Sequence, residues 1–185
     1  GRANFNENIS QWDVSNVTKM DDMFKGATKF NQPIGNWDVS SVTSMYHMFS
    51  MASSFNQPIG GWDVSKVNTA FSMFWHAIAF NQPIGNWNIS SMTNISSMFW
   101  GASSFNQDVS DWNISKVTNM GNIFASANSL SKQNKGLLQL SFSTNSTWPY
   151  DWRKFILLDD TNFHNTINLW FDNQAEANAP YGHIS

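Results

Sequence analysis

FNQPIGNWDVSSVTSMYHMFSMASS, residues 30–54, is the best preserved of five consecutive copies of one 25-residue unit. No insertion or deletion separates the copies, which begin at Phe5, Phe30, Phe55, Phe80 and Phe105. A fixed period of this length is typical of a repeat array, in which each unit buries its apolar side only against its neighbours. We therefore predict a repeat solenoid over residues 1–129, an architecture that usually displays a surface and rarely encloses an active site.

One part of the unit reads as a β-strand. A tryptophan column runs through all five copies, and an aliphatic residue follows two positions later in each copy: Trp12, Trp37, Trp62, Trp87 and Trp112. This Trp-x-Val step alternates apolar and polar residues with the period of two that a half-buried strand shows. If the strands pair in parallel, equivalent residues of neighbouring repeats lie about 4.8 Å apart.

The second half of the unit predicts a short helical turn. Val42, Met45, Met48 and Phe49 have i, i+3, i+6, i+7 spacing, and apolar residues fill the same positions in the other copies. That spacing places one face of an α or 3-10 helix against the core. The expected fold is therefore leucine-rich-repeat-like, with short parallel strands and short helical or 3-10 turns.

Composition argues against several partners and chemistries. The net charge is −3, and the ten Lys and Arg residues are scattered, whereas nucleic-acid binding needs them clustered. Cysteine is absent and the four His share no ligand spacing, so we expect no metal site and no cofactor. The sequence has no Gly-rich phosphate loop and no nucleophile elbow, so we expect no catalytic residue and no enzymatic activity. No apolar run approaches the ~20 residues that span a bilayer, so membrane association is expected only through regions outside this sequence.

A polar column on the outward side of the predicted strand is the first candidate binding site. It consists of Asp13, Asp38, Asp63, Asn88 and Asn113. Stacked carboxylates about 4.8 Å apart repel one another, and the change to Asn in the last two copies relieves that repulsion. We predict that this column, with Asn36 and Asn86 beside it, contacts a partner. The alternatives are a bound cation and hydrogen bonding to the following turn.

A second Asn column follows the first Phe of every copy, at Asn6, Asn31, Asn56, Asn81 and Asn106. Its side chains either contact a ligand or form an internal ladder that satisfies the backbone of the loops. We favour the ladder, because invariance among copies of one chain follows from stacking geometry.

Aromatic residues outside the repeating columns give another candidate site. They occupy positions that hold polar or small residues in other copies, with His47 and His76 beside them: Tyr46, Phe71, Trp75 and Trp100. Exposed aromatic side chains next to polar groups are typical of binding hot spots. We predict that Tyr46, Trp75 and Trp100 contact a ligand; packing against an adjoining loop is the alternative.

The repeat is lost after residue 129. We predict a mainly helical insert over residues 130–179, with helices over 131–142 and 159–171, whose aromatic residues pack over one end of the array. Residues 180–185 restart a repeat. We expect the sequence to be a piece of a longer array, so that targeting signals would lie outside it.

The consensus MF-x-G-A-x-x-F-N-Q-x-I-x-x-W-D-V-S-x-V-T-x-M, matched for example from Met98 to Thr118, resembles a known bacterial surface-protein repeat. That repeat is a domain of unknown function found in BspA-like leucine-rich-repeat surface proteins and in mycoplasma lipoproteins. The resemblance covers residues 1–129, resumes in the last few residues, and brings no catalytic residue with it. It implies a leucine-rich-repeat-like solenoid on a microbial surface, with adhesion or protein binding as its activity.

We therefore expect an extracellular or cell-surface binding module for a protein or host-surface ligand, acting through the outward face of the stacked strands. Glycan binding through Trp75 and Trp100 is one alternative, and a purely structural spacer is another. Asn88, Asn113 and the Asn68-Thr69-Ala70 stretch depart from the consensus. A binding mode that needs an unbroken Asp column, or an unbroken Thr column at Thr18, Thr43, Thr93 and Thr118, is therefore disfavoured.

Overall fold

In the computed structural model, which describes residues 2–157, the five repeats lie on one another as successive coils of a stack. Alternate backbone N–H groups of one repeat donate to carbonyl groups of the next, at 2.7–3.0 Å between repeats 2 and 3. There, the donors are Met45, His47, Phe49 and Met51, and the acceptors are Thr69, Phe71, Met73 and Trp75. The same register recurs at all four junctions, so the 25-residue period fixes which residues lie above one another.

The predicted leucine-rich-repeat-like solenoid of parallel strands is wrong. Among the described residues β-pairing is limited to isolated parallel bridges and no sheet forms. The bridges join Lys19 to Ser44, Ser44 to Thr69, Thr69 to Asn94, and Asn94 to Asn119. Within residues 2–157 the regular helical elements are 3-10 turns at Arg2–Asn4 and Arg153–Phe155 and one α-helix, α1, at Lys132–Phe142.

The Trp-x-Val step is not a strand, because turns close on both sides of it. Trp37 N–H donates to the Ile34 carbonyl at 3.1 Å, and Val42 N–H donates to the Val39 carbonyl at 2.9 Å. Neighbouring repeats are joined here by a side chain instead, since Trp62 Nε1–H donates to the Ile34 carbonyl at 3.2 Å. The predicted burial is nevertheless correct: Trp37 and Val39 are buried and the residue between them is exposed.

The predicted helical turn over 42–49 is also wrong, although its apolar residues are all buried as expected. His47 and Met51 have φ of +54° and +60°, and equivalent residues of the other repeats are left-handed as well. A left-handed residue at every fourth position prevents an α-helix from propagating. It also aims alternate N–H groups along the stack, where the next repeat accepts them.

Phenylalanine rings fill the centre of the stack. The last Phe of one repeat packs on the first Phe of the next, with ring centroids 3.9 Å apart for Phe49 and Phe55. The equivalent Phe49 and Phe74 of neighbouring repeats stack at 5.6 Å. Burying one such ring contributes about 1.5–3 kcal/mol, and aromatic pairing adds about 0.5–1.5 kcal/mol.

The Asn column forms the predicted ladder to the loop backbone, at the surface and not internally. Asn56 Oδ1 accepts from Asn81 N–H at 2.9 Å and from Gln82 Nε2 at 2.9 Å. Equivalent bonds link the other repeats, and the Asn residues are exposed or half-buried. The ladder therefore ties each loop to the loop of the preceding repeat.

The segment after the repeats covers the end of the stack, as predicted. Ser131 caps α1 by accepting from Asn134 N–H at 3.1 Å, and Ser131 N–H donates to Asn106 Oδ1 at 2.9 Å, so Ser131 continues the Asn ladder. The helix predicted over 131–142 is thus confirmed. The second predicted helix, 159–171, and the repeat restart at 180–185 lie outside the described residues.

Replacing Asn56 tests the ladder. Asn56→Ala leaves Asn81 N–H without its acceptor and should lower the free energy of unfolding by about 1–3 kcal/mol. Asn56→Asp keeps the accepting oxygen and should cost much less. Urea denaturation of both variants measures the difference, and equal losses would contradict the assigned hydrogen bonds.

Candidate binding faces

The predicted polar column lies on the surface, but its oxygens are used within its own turns. We call Asp13, Asp38, Asp63, Asn88 and Asn113 the Asx row. All five are exposed, and each Oδ1 accepts from the backbone N–H of the Ser two residues later, at 3.0–3.2 Å. Hydrogen bonding to the following turn, one of the alternatives raised by the sequence, is therefore what the structure shows.

These hydrogen bonds affect ionisation. A hydrogen bond from the Ser40 side chain, followed by the Ser40 backbone N–H, holds the pKa of Asp38 below its ordinary value. The pKa values of Asp13 and Asp63 are lowered in the same way by Ser15 and Ser65. Asn makes the same turn without a charge, which explains why repeats 4 and 5 tolerate the exchange.

The strand face on which the Asx row was expected to lie does not exist, because the Trp-x-Val step forms no sheet. Asn36 and Asn86 are exposed at the turn that precedes each Trp. The structure leaves their side chains, like those of the Asx row, open to solvent. It does not bring them into a pocket with Tyr46, Trp75 or Trp100.

The aromatic residues form a second surface. We define the aromatic face by seven outward side chains: Tyr46, His47, Met51, Phe71, Trp75, His76 and Trp100. They belong to the segment of each repeat whose backbone bonds to the next repeat, so they stand on the best-fixed part of the stack. Tyr46 is 37% exposed, Met51 46% and Trp100 36%.

Ring packing organises the aromatic face. Tyr46 and Phe71 stack at 5.1 Å with an interplanar angle of 17°, and His47 lies against both rings. Half-buried Trp75 contacts His76 edge-on at 4.3 Å. The His76 ring in turn occupies the space above Gly101, where a Cβ would approach it to 2.7 Å. The rings are therefore held in place by one another before any ligand arrives.

Charge is present at one edge of the aromatic face. Asp22 Oδ1 lies 3.0 Å from Lys25 Nζ and 3.3 Å from His47 Nδ1. The hydrogen bond from Lys25 lowers the pKa of Asp22, while burial and then the nearby Lys25 charge lower the pKa of His47. His47 Nδ1 also lies 3.3 Å from Lys25 Nζ, so it accepts from Lys25 when it is unprotonated and donates to Asp22 when it is protonated.

Met51 was not predicted as part of a site. Its position is held by Gly26 in repeat 1 and Gly101 in repeat 4. A large apolar side chain in a column that holds glycine in two other repeats was the signal visible in the sequence. The structure adds that this position is left-handed, which carries a steric cost for Met51.

Comparison with known proteins places the chain in a family. The model of a Mycoplasma protein family of unknown function, DUF285, matches residues 1–82 and again 59–147. The chain belongs to this family. Searches of curated proteins and of solved structures gave no match. The family assignment agrees with the mycoplasma part of the resemblance seen in the sequence. The leucine-rich-repeat part is wrong, because the repeats form no sheet.

Two further classes of site were sought in the same part of the chain. Residues 2–157 contain no group of three or more His, Asp or Glu side chains placed to hold a metal ion. They also contain no helix with the length and hydropathy needed to cross a membrane.

The turn role of the Asx row predicts a pH dependence. Because folding lowers the pKa of Asp13, Asp38 and Asp63, their contribution to stability is fully present above the unfolded pKa of about 3.9. It is lost as the pH falls through the lower folded values. The triple variant Asp13→Asn, Asp38→Asn, Asp63→Asn keeps the turns and should show a weaker fall in Tm between pH 5 and pH 2. An unchanged fall, followed by circular dichroism, would contradict this role.

Proposed function

We propose that this chain is a binding module of a cell-surface protein, and that it adheres to a protein ligand through the aromatic face. The observation that carries the proposal is the exposure of Tyr46, Met51 and Trp100 on a rigid backbone. Aromatic residues and Met are enriched at protein interfaces, where a few such anchors supply most of the binding energy.

The Asx row and the Asn column are also exposed, but both have structural roles, which leaves the aromatic face as the better candidate for ligand contact. The Asx row holds turns, and the Asn column holds neighbouring loops together. The aromatic residues of the face, in contrast, fill positions where other repeats fold with Asp21, Ser50 or Ala125. The stack does not require large side chains there, so a contact outside the stack is the better explanation for them.

Placement at a cell surface rests on the resemblance of the repeat to BspA-like surface proteins and mycoplasma lipoproteins. The leucine-rich-repeat architecture of the BspA-like proteins is not part of the proposal. What supports the proposal is the repeat itself, which presents the aromatic face on hydrogen-bonded backbone.

Glycan binding is a second candidate, favoured by one observation. Sugars stack on flat aromatic faces, and Trp75 and Trp100 are half-buried and exposed, respectively. The half-buried His76 provides a polar side chain in the same segment of the stack. A chain that binds neither proteins nor glycans would instead be a spacer.

Binding arrays separate these functions. We expect the chain to bind at least one purified extracellular-matrix protein, and Tyr46→Ala with Trp100→Ala to weaken that binding at least tenfold, since anchor residues contribute about 2 kcal/mol or more. Asp38→Asn with Asp63→Asn is the matched control and should bind like the parent chain.

Three outcomes would overturn the proposal. Binding only to glycans, with loss on Trp75→Ala and Trp100→Ala, would assign the aromatic face to carbohydrate. Loss of protein binding on Asp38→Ala with Asp63→Ala, but not on the aromatic changes, would return the site to the Asx row. No binding to either array would favour the spacer. Circular dichroism of each variant checks that it folds.

A further inference from the structure

Met51 is the most exposed methionine of the chain, whose nine methionines all lie within residues 2–157. Seven of the others are buried at 0–2% exposure: Met20, Met45, Met48, Met73, Met92, Met98 and Met120. Met23 is half-buried, whereas Met51 is 46% exposed. The thioether side chain of Met51 is therefore the one most open to reagents dissolved in water.

The stack does not need a methionine at this position. The eight other methionines belong to three recurring apolar columns, those of Val42, Met45 and Met48. Met51 belongs to a column that otherwise holds Gly26, His76, Gly101 and Ser126. Its φ of +60° lies in the left-handed region, where a side chain has a steric cost that glycine avoids. The reason for this exposed thioether therefore lies outside the packing of the repeats.

The backbone of Met51 is held by the next repeat. Met51 N–H donates to the Trp75 carbonyl at 2.7 Å, and His76 N–H in that next repeat donates to the Trp100 carbonyl at 2.7 Å. Met51 therefore occupies the same column as His76 and lies beside the repeat that carries Trp75. Because this hydrogen bond uses backbone atoms only, a chemical change at the Met51 sulfur alters the aromatic face without removing the bond that holds it.

The composition of the chain directs mild oxidants to methionine. Cysteine and methionine are the side chains whose sulfur peroxides oxidise, and the chain contains no cysteine. Oxidation of methionine follows exposure, and the buried methionines lie among the Phe rings of the stack. A peroxide in solution therefore meets the Met51 sulfur first.

The reaction of a peroxide with Met51 is a single oxygen transfer. A lone pair of the sulfur attacks one oxygen of hydrogen peroxide, so that an S–O bond forms and the O–O bond breaks. The proton on the transferred oxygen passes through solvent to the departing oxygen, which leaves as water. Sulfur is oxidised to the sulfoxide and the peroxide is reduced. The sulfoxide is polar, and methionine sulfoxide reductases return it to the thioether.

We propose that Met51 is an oxidative modification site at which peroxides make the aromatic face polar and weaken its binding of a protein ligand. The loss of binding rests on the function proposed above, whereas the reactivity of Met51 does not. A sulfoxide oxygen at this position accepts hydrogen bonds from water, and a ligand that covers it must remove that water. Since a buried polar group without a partner is costly, the oxidised chain binds less tightly, and reduction of the sulfoxide restores binding.

Limited treatment of the full chain with hydrogen peroxide tests the site without any ligand. Peptide mass spectrometry should show one added oxygen on Met51 at least about tenfold faster than on the buried methionines, because oxidation follows exposure. In hydrophobic interaction chromatography the oxidised chain should elute earlier than the untreated chain, whereas treated Met51→Leu should not shift. The site is overturned if Met51 reacts no faster than Met45 or Met48, or if treated Met51→Leu shifts as the parent does.

The effect on binding is measured with the extracellular-matrix protein that the untreated chain binds. The oxidised parent should bind at least about tenfold more weakly, treated Met51→Leu should bind as before treatment, and methionine sulfoxide reductases should restore the parent. Met23→Leu is the matched control and should lose binding on oxidation as the parent does. Unchanged binding by the oxidised parent, or an equal loss in Met51→Leu, overturns the effect. A chain that binds no protein before oxidation contradicts the proposed function, while mass spectrometry and chromatography still decide the modification site.

Discussion

Hydrogen bonds from alternate N–H groups of one repeat to carbonyls of the next are the constraint on which the rest of the structure depends. They recur at every junction with the same register, so a change of one residue in repeat length would break all of them at once. That register brings like residues together: Phe on Phe, Asn on Asn, and each Trp on an Ile carbonyl. Strict spacing in the sequence is the direct consequence.

The sequence predicted what is buried far better than how the backbone runs. Spacing identified the Phe, Trp, Val and Met columns, because burial depends on position within the period and not on the type of secondary structure. It could not show that residues such as His47 and Met51 adopt left-handed conformations. Those conformations replace the expected helix. The expected strand does not pair with its equivalents, because the backbone-to-backbone hydrogen bonds between repeats lie in the other half of the unit.

The candidate sites also divide into two kinds: residues in recurring columns, and residues that depart from the columns. The Asx row recurs, and recurrence reflects its role in closing a turn at Asp38 and its equivalents. Tyr46 occurs once in its column, and Trp75 and Trp100 share one column in only two of the five repeats, while the stack folds with small or polar residues at these positions in other repeats. In a repeat protein the columns therefore describe stability, and departures from them indicate interaction. The sequence singled out these three residues, but it could not give the exposure of each, which depends on side-chain direction: Tyr46 and Trp100 are exposed, whereas Trp75 is half-buried.

The alternate N–H groups that include those of Met45 and His47 all donate from one repeat to the next, whereas Thr43 N–H, the Asn column and the Trp indoles bond in the reverse direction. After repeat 5, at the donor end of this segment, the N–H groups therefore need acceptors outside the repeats. The donor end is covered by a segment that departs from the repeat, in which Tyr150 accepts from Phe124. Burial raises the pKa of Tyr150 to about 12, so its phenol stays neutral within the cap.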